Sequence, residues 1–158
     1  MMVTFSQAYK RTGILIGKSF ALALALVSTS AMAAGDIAMH RDPGCGCCEK
    51  WAAQVLQKFG RTIKVVNTTD RAALHKRLGM PANLTSCHTA IIDGIAFEGH
   101  VSLADMKRVL AKKPAGVRGL AVAGMPMGSP GMEAPGYPAD RYEVIAFGSG
   151  KTTVFAQH

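Results

Sequence analysis

The sequence has no run of basic residues and few aromatic residues, and both absences limit what the protein binds. Lysine and arginine outnumber aspartate and glutamate by 18 to 10, but they are scattered across the region from Lys50 to Lys151. Aromatic residues make up only 6% of the chain and form no platform on which bases could stack. We therefore expect no nucleic-acid partner, and we interpret the positive charge as a solvated surface.

The beginning of the chain has no acidic residue before Asp36 and no apolar run long enough to span a bilayer. Three early basic residues are followed by the apolar run from Phe20 to Val27 and by mostly small residues up to Ala33. This order is typical of a secretory signal peptide, whereas a membrane helix needs about 20 apolar residues. We expect a signal peptide at 1–33, cleaved after Ala33, and a periplasmic protein that no longer associates with the membrane. An uncleaved anchor is the weaker alternative.

The expected mature part, residues 34–158, suits a single domain with a modest core. Removal of residues 1–33 lowers the formal net charge from +8 to +5. The mature part contains no internal repeat. Sequence patterns typical of strands and of helices alternate along it, and Asp93-Gly94 predicts the turn of a β-hairpin. In chain order we predict a strand at 36–41, a helix at 48–59, a strand at 62–67, a helix at 70–78, a hairpin at 89–97 and a helix after Ser102.

This order predicts an α/β fold, a small sheet flanked by helices whose first two strands are parallel. Residues 111–141 have no periodicity and are rich in glycine and proline, so we expect one long Gly/Pro/Met loop there. A C-terminal β-hairpin is predicted from Tyr142 to Ala156.

The sequence has only four cysteines, and three of them fall within four positions, at Cys45, Cys47 and Cys48. Cysteines this close enclose almost no chain, so cross-linking them would stabilise the fold little. They lie between the first strand and the first helix, and Cys45 and Cys48 form a C-x-x-C pair. Strand, C-x-x-C and helix in this order indicate a thioredoxin-like arrangement, and a helix start favours the thiolate.

Cys47 favours metal binding over simple disulfide exchange. A dithiol oxidoreductase needs two sulfurs, and a third between them would promote wrong pairing. Crowded thiolates suit a soft metal, and Cu(I) accepts low coordination and bridging sulfur. Zinc is the less favoured alternative, because it needs a tetrahedron that is usually built from separated ligand pairs.

The fourth cysteine, Cys87, precedes the predicted strand that begins at Thr89. In thioredoxin-like folds this loop lies against the C-x-x-C and normally carries a proline, which Thr85 to Thr89 lacks. We therefore expect Cys87 beside the other three cysteines. His88 is a further candidate ligand, although adjacent strand residues point in opposite directions and both need not face the metal.

Further candidate ligands lie outside the cysteine motifs. Met125, Met127 and Met132 lie in the long loop, where their thioethers could bind Cu(I) or simply seat the loop. His40, near the end of the first strand, is a weaker candidate. The remaining histidines are expected at the surface, and these are His75, His100 and His158.

The chain resembles the CopG-type periplasmic copper-resistance proteins, long catalogued only as a domain of unknown function. The resemblance runs from about Ile37 to the end. It is carried by the final hairpin and by four motifs, Cys45-Gly46-Cys47-Cys48, Thr85-Ser86-Cys87-His88-Thr89, Gly119-Leu120-Ala121-Val122 and the segment from Gly124 to Glu133. It implies a thioredoxin-like fold, a cysteine-held copper centre and a role in copper handling or copper redox chemistry.

Two functions are therefore carried forward. In the first, the protein binds copper as Cu(I) in copper resistance, with other periplasmic copper-handling proteins as candidate partners. In the second, it is a thiol–disulfide oxidoreductase in which Cys45 attacks and Cys48 resolves. Both functions are compatible with an enzyme, either a copper-linked or a thiol-linked oxidoreductase.

Overall fold

The computed structural model describes residues 35–158, so the signal peptide expected at 1–33 lies outside the described residues. The described chain contains three α-helices, α1 (Gly46–Phe59), α2 (Ala72–Leu78) and α3 (Leu103–Lys112). It also contains seven strands, β1 (Ile37–Arg41), β2 (Ile63–Asn67), β3 (His88–Ile92), β4 (Ile95–Glu98), β5 (Val117–Ala121), β6 (Glu143–Gly148) and β7 (Lys151–Gln157).

The seven strands form one mixed sheet in the order β2-β1-β3-β4-β5-β6-β7. Two pairs are parallel, β1 with β2 and β4 with β5, and the other neighbours are antiparallel. The predicted α/β class and the parallel first pair are thereby confirmed, whereas the thioredoxin-like assignment stays a prediction. In the described residues, no helix is both long and apolar enough to cross a membrane.

Helix α1 forms where apolar residues recur every four positions. Trp51 and Val55 are fully buried, and they pack with residues of β1, β4 and α3 in the main hydrophobic core. The helix ends at Gly60, whose φ of 62° gives the left-handed cap that glycine adopts without a Cβ penalty. A second, smaller core that includes Met80 and Phe147 lies on the other face of the sheet.

The turn between β3 and β4 and the beginning of α3 form where the sequence predicts them. Asp93 and Gly94 join β3 to β4 with φ angles of 50° and 82°, the positive values that a tight hairpin turn requires. Ser102 caps α3, because its Oγ accepts the N–H of Asp105 at 3.1 Å.

The segment 111–141, predicted to be one irregular connection, contains strand β5, so that part of the prediction is wrong. β5 lies between β4 and β6 in the sheet. Its sequence, Val-Arg-Gly-Leu-Ala, includes a glycine that weakens the strand pattern. Gly119 is needed there because an added Cβ would lie 2.6 Å from the Ala96 carbonyl oxygen and would meet the Phe147 ring.

Candidate metal centre

The first half of the site is built at the beginning of α1. Cys45 is the N-cap residue, and its Sγ accepts the N–H of Cys48 at 3.3 Å. Cys48 lies in the first turn and is completely buried. Cys45 and Cys48 form a disulfide with Cα atoms 5.3 Å apart, whereas Cys47 is a free, half-buried thiol.

Cys87 completes the cluster from the other side. Its Sγ lies 3.3 Å from Cys48 Sγ and 3.9 Å from Cys47 Sγ. Cys47 Sγ in turn lies 3.4 Å from Cys45 Sγ. All four sulfurs lie within 4.8 Å of one another, which is close enough to share one metal ion or a small cluster. The structure therefore places Cys87 where the sequence predicts it; metal ligation by these residues stays a prediction.

Strand order brings these distant residues together. β1 and β3 are antiparallel neighbours, so the end of β1 lies beside the beginning of β3. The N–H of Asp42, just after β1, donates to the Cys87 carbonyl at 3.2 Å. α1 begins four residues after Asp42, so its cysteines reach Cys87 without any long-range loop movement.

Two histidines lie against Cys87, and only one of them was expected there. His88 Nδ1 is 3.6 Å and His100 Nε2 is 3.3 Å from Cys87 Sγ, and the three ligand atoms lie within 4.8 Å of one another. His100 was predicted to be at the surface, and that prediction is wrong because the residue is completely buried. The sequence did contain a signal: extending the hairpin register beyond Thr89 and Glu98 places His100 opposite Cys87.

Hydrogen bonding and burial set the states of the two imidazoles. His100 Nδ1 lies 2.8 Å from the Pro130 carbonyl oxygen, which can only accept, so Nδ1 carries the proton and Nε2 presents its lone pair to Cys87. Burial lowers the pKa of His100 below its usual value. Burial also lowers the pKa of His88 to about 3, helped by the nearby His100 and Arg71. Both rings are therefore neutral near pH 7, as metal ligands must be.

Cys87 is a thiol rather than a thiolate when no cation is present. Burial, followed by the nearby Cys47, raises the pKa of Cys87 to about 12. A bound metal must therefore displace the proton, and metal binding at this residue releases one. Cys87 lies just before β3 and not at the start of α1, so the helix dipole does not favour its thiolate.

The long loop lies over the helix start. Gly131 approaches α1 so closely that an added Cβ would lie 2.7 Å from the Cys47 carbonyl oxygen and 2.8 Å from Trp51 N. Glu133 anchors the loop, because its carboxylate accepts the Gly131 N–H at 2.8 Å and the Gln54 amide at 3.0 Å. The loop thus holds the Pro130 carbonyl against His100.

The methionines of this loop are placed differently from one another. Met125 is 55% exposed, whereas Met127 and Met132 are half-buried. Asp140 holds the backbone of Met127 by two hydrogen bonds. Its carboxylate accepts the Met127 N–H at 2.8 Å, and its own backbone N–H donates to the Met127 carbonyl at 2.9 Å. Ligation by these thioethers stays a prediction.

The other histidines lie outside the two groups of potential ligands found among the described residues. His40 is half-buried and pairs across the sheet with Thr89. His75 was also expected at the surface, but it is half-buried, with Nε2 3.1 Å from Thr89 Oγ1. His158 is exposed, as predicted, and stacks on Tyr142.

Behind Cys87, a buried carboxylate fixes the preceding loop. Glu98 is completely buried, and it accepts the Ser86 N–H at 2.7 Å and the Thr89 hydroxyl at 2.5 Å. Because Ser86 precedes Cys87, these bonds help to hold the Cys87 backbone in position. Burial raises the pKa of Glu98 above its usual value, and its hydrogen bonds offset this only in part.

The raised pKa of Glu98 predicts a specific dependence of stability on pH. The contribution of Glu98 to the free energy of unfolding is fully present below the pKa of the residue in the unfolded chain, about 4.3. It is lost as the pH rises through the higher pKa that Glu98 has in the folded protein. Glu98→Gln keeps an acceptor for Ser86 and cannot ionise. We expect the free energy of unfolding of the wild type, relative to Glu98→Gln, to fall as the pH rises from about 4.3, measured by urea denaturation. Parallel pH profiles for the two proteins would contradict this assignment.

Comparison with known proteins agrees with the geometry. A family model described as "Protein of unknown function, DUF411" matches residues 84–132, which include Cys87, His88 and His100. Two solved structures, forms 1 and 2 of a copper resistance protein CopG, are each 40% identical in sequence with a TM-score of 0.70. Each alignment covers 80% of this chain, and 98% and 99% of the respective CopG chains. No significant match to a curated protein was found.

The structural matches span nearly the whole of both CopG chains at an identity well above that at which only the fold is shared. The match is therefore one of sequence as well as of fold. The chain belongs to the CopG family of copper resistance proteins.

Proposed function

We propose that the protein is a periplasmic copper-handling protein that binds Cu(I) through the thiolates of Cys45, Cys47, Cys48 and Cys87. The observation that carries this proposal is the set of four sulfurs lying within 4.8 Å of one another. The names of the CopG relatives support copper as the metal. The signal-like pattern of residues 1–33 supports export to the periplasm, where other copper-handling proteins are the expected partners.

The donor atoms favour Cu(I) over harder ions. Thiolate sulfur is a soft ligand, and it selects Cu(I) or zinc over ions that prefer oxygen. Four sulfurs from neighbouring positions can also bridge between ions, which suits the low coordination number of Cu(I). His88 and His100 add neutral nitrogen donors beside Cys87.

The second candidate function is thiol–disulfide exchange. The disulfide between Cys45 and Cys48, with Cys87 Sγ at 3.3 Å from Cys48 Sγ, is the observation in its favour. Attack on the disulfide requires a thiolate. Burial raises the pKa of Cys87 to about 12, which makes this residue a poor nucleophile, so exchange would rest on Cys45 attacking and Cys48 resolving. That reaction gives Cys47 and Cys87 no role, whereas copper binding uses all four sulfurs, and copper binding is the function that we favour.

Cu(I) competition against a chelator under anaerobic conditions tests the proposal. Cys47→Ser removes one sulfur while leaving Cys45 and Cys48 able to form their disulfide. Loss of a group that only hydrogen-bonds to a metal ligand typically lowers metal affinity about 10–100-fold. Because Cys47 is a proposed ligand itself, we expect Cys47→Ser to lower the affinity for Cu(I) by at least as much. Met127→Leu serves as the control and is expected to have a smaller effect, because a thioether is a neutral and weaker ligand.

Reduced wild type is also expected to prefer Cu(I) to zinc, and a closed Cys45–Cys48 disulfide is expected to compete with copper. If wild type and Cys47→Ser bind Cu(I) equally, and only dithiol exchange depends on Cys45 and Cys48, the oxidoreductase function replaces the copper proposal.

A further inference from the structure

We propose that Arg71 is a positioning residue of the cysteine cluster and that its buried positive charge strengthens the binding of the first Cu(I). The inference rests on the proposed function and deepens it, because it assigns a residue outside the ligand set to the affinity of the same site. One Cu(I) held by two or more thiolates forms a centre with net negative charge. A buried anion is costly unless a cation lies close to it.

The side chain of Arg71 reaches both chain segments that carry the cysteines. Arg71 immediately precedes α2, and its side chain is only 7% exposed. Its Nη1 donates to the Asp42 carboxylate, and its Nη2 donates to the Ser86 carbonyl oxygen at 2.5 Å. Ser86 directly precedes Cys87, and Asp42 lies in the turn that leads from β1 to Cys45. One guanidinium therefore spans the two halves of the site.

Asp42 extends this connection to the backbone of both cysteines. Its N–H donates to the Cys87 carbonyl at 3.2 Å, and its carbonyl accepts the Cys45 N–H at 3.4 Å. Arg71 thus holds the carboxylate of a residue that is bonded to Cys45 and to Cys87. Loss of the guanidinium is expected to loosen the two cysteines relative to each other.

The charge of Arg71 also lies close to the cluster. The Ser86 carbonyl belongs to the peptide bond that joins Ser86 to Cys87. Following the covalent bonds from this oxygen to Cys87 Sγ places the sulfur at most about 10 Å from Arg71 Nη2. At that distance, with an effective dielectric constant of about 20, one unit charge changes the affinity for another by on the order of ten-fold.

The carboxylates beside Arg71 cancel its charge only in part. Asp42, its ion-pair partner, is 47% exposed, so water screens the carboxylate more than it screens the guanidinium. Glu98 lies on the other side of Ser86, where it accepts the Ser86 N–H. Burial raises the pKa of Glu98, which makes this carboxyl less readily ionised than an ordinary glutamate. The buried guanidinium therefore leaves a positive field at the cluster.

A second guanidinium holds the helix side of the cluster in a similar way. Arg41 Nη1 donates to the Cys45 carbonyl at 3.1 Å and to the carboxylate of Glu49 at 2.9 Å. Arg41 contacts one half of the site, whereas Arg71 is connected to both halves. Arg71 is therefore the residue at which position and charge are tested together.

The test is anaerobic competition of reduced protein with a chelator, up to one Cu(I) per chain. Arg71→Gln is expected to lower the affinity for Cu(I) by about ten-fold, and Arg71→Lys, which keeps the charge but not the planar fork, by less. Asp42→Asn keeps an oxygen that can accept from Arg71 Nη1 but removes the negative charge. It is expected to raise the affinity, by a smaller factor because the carboxylate is half exposed.

The opposite directions of these two effects separate charge from structure. A purely structural role would make Arg71→Gln and Asp42→Asn weaken binding alike, since both alter the same ion pair. Arg61→Gln is the matched control, because Arg61 is 10% exposed and pairs with Asp93 at the end of β3 farthest from Cys87. It removes a similarly buried guanidinium and is expected to leave Cu(I) affinity unchanged. Urea denaturation of the metal-free variants verifies that each is folded.

The copper proposal and this inference give different patterns when they fail. If reduced wild type binds Cu(I) and folded Arg71→Gln binds it equally, Arg71 has no role and the copper proposal stands. The charge role is also wrong if Arg71→Lys loses as much affinity as Arg71→Gln, or if Asp42→Asn does not raise the affinity. If reduced wild type takes up no Cu(I), the copper proposal fails and this inference fails with it.

Discussion

Replacing Cys87 with serine is expected to lower the affinity for Cu(I) more than any other single substitution, by at least about a hundred-fold. Cys87 is the one residue that belongs to both groups of potential ligands, the four sulfurs and the Cys87–His88–His100 set. Its Sγ contacts Cys47, Cys48, His88 and His100. Removing it therefore separates the helix cysteines from the two imidazoles.

The measurement is anaerobic Cu(I) competition against a chelator, with Cys47→Ser as the comparison. Cys47 is half-buried and belongs only to the four-sulfur group, so its loss is expected to have a smaller effect. Urea denaturation of metal-free protein controls for misfolding, since serine in place of a buried thiol is a small change in volume. Equal affinities for Cys87→Ser and wild type would show that the metal does not bind at this cluster.

Replacing Gly131 with alanine is expected to destabilise the protein and to weaken metal binding together. Its φ is +85°, and an added Cβ would lie 2.7 Å from the Cys47 carbonyl oxygen and 2.8 Å from Trp51 N. The left-handed backbone costs a side chain about 1–2 kcal/mol, and overpacking against a helix adds about 1–3 kcal/mol. The loop must move away from α1 to relieve the contact, and the Pro130 carbonyl moves with it.

Gly136 offers a matched control in the same loop. Its φ is +81°, nearly the same as that of Gly131, but an added Cβ would have nothing within 4 Å. Gly136→Ala is therefore expected to carry only the backbone cost and to leave Cu(I) affinity unchanged. Urea denaturation and Cu(I) competition on both variants give the comparison. If the two variants are equally stable and bind equally, the loop does not support the site.

The features predicted correctly from the sequence are those that neighbouring residues determine. Trp51 and Val55 mark the buried face of α1 because helical spacing alone brings them together. Asp93 and Gly94 specify the hairpin because the turn itself requires their positive φ angles. The position of Cys87 was also predictable, but only because the loop before β3 is expected to lie against the C-x-x-C pair in a thioredoxin-like fold.

The features that were missed depend on contacts between distant parts of the chain. β5 is stabilised by pairing with β4 and β6, and its glycine reflects the close approach of Phe147, which no local pattern reveals. His100 follows a strand end, where surface residues are common. Its burial depends on Pro130, thirty residues later, and on the loop that covers α1.

The proposed ligands come from separate parts of the chain, and this couples metal supply to folding. Cys48 and Cys87 are 39 residues apart, and His100 lies 13 residues beyond Cys87. An unfolded chain holds these donors far from one another, so an ion that binds all of them binds the native state preferentially. At a free metal concentration a hundred times the dissociation constant, such binding adds about 2.7 kcal/mol to the free energy of unfolding. The fraction of the chain that is folded would then rise with the concentration of the metal that it binds.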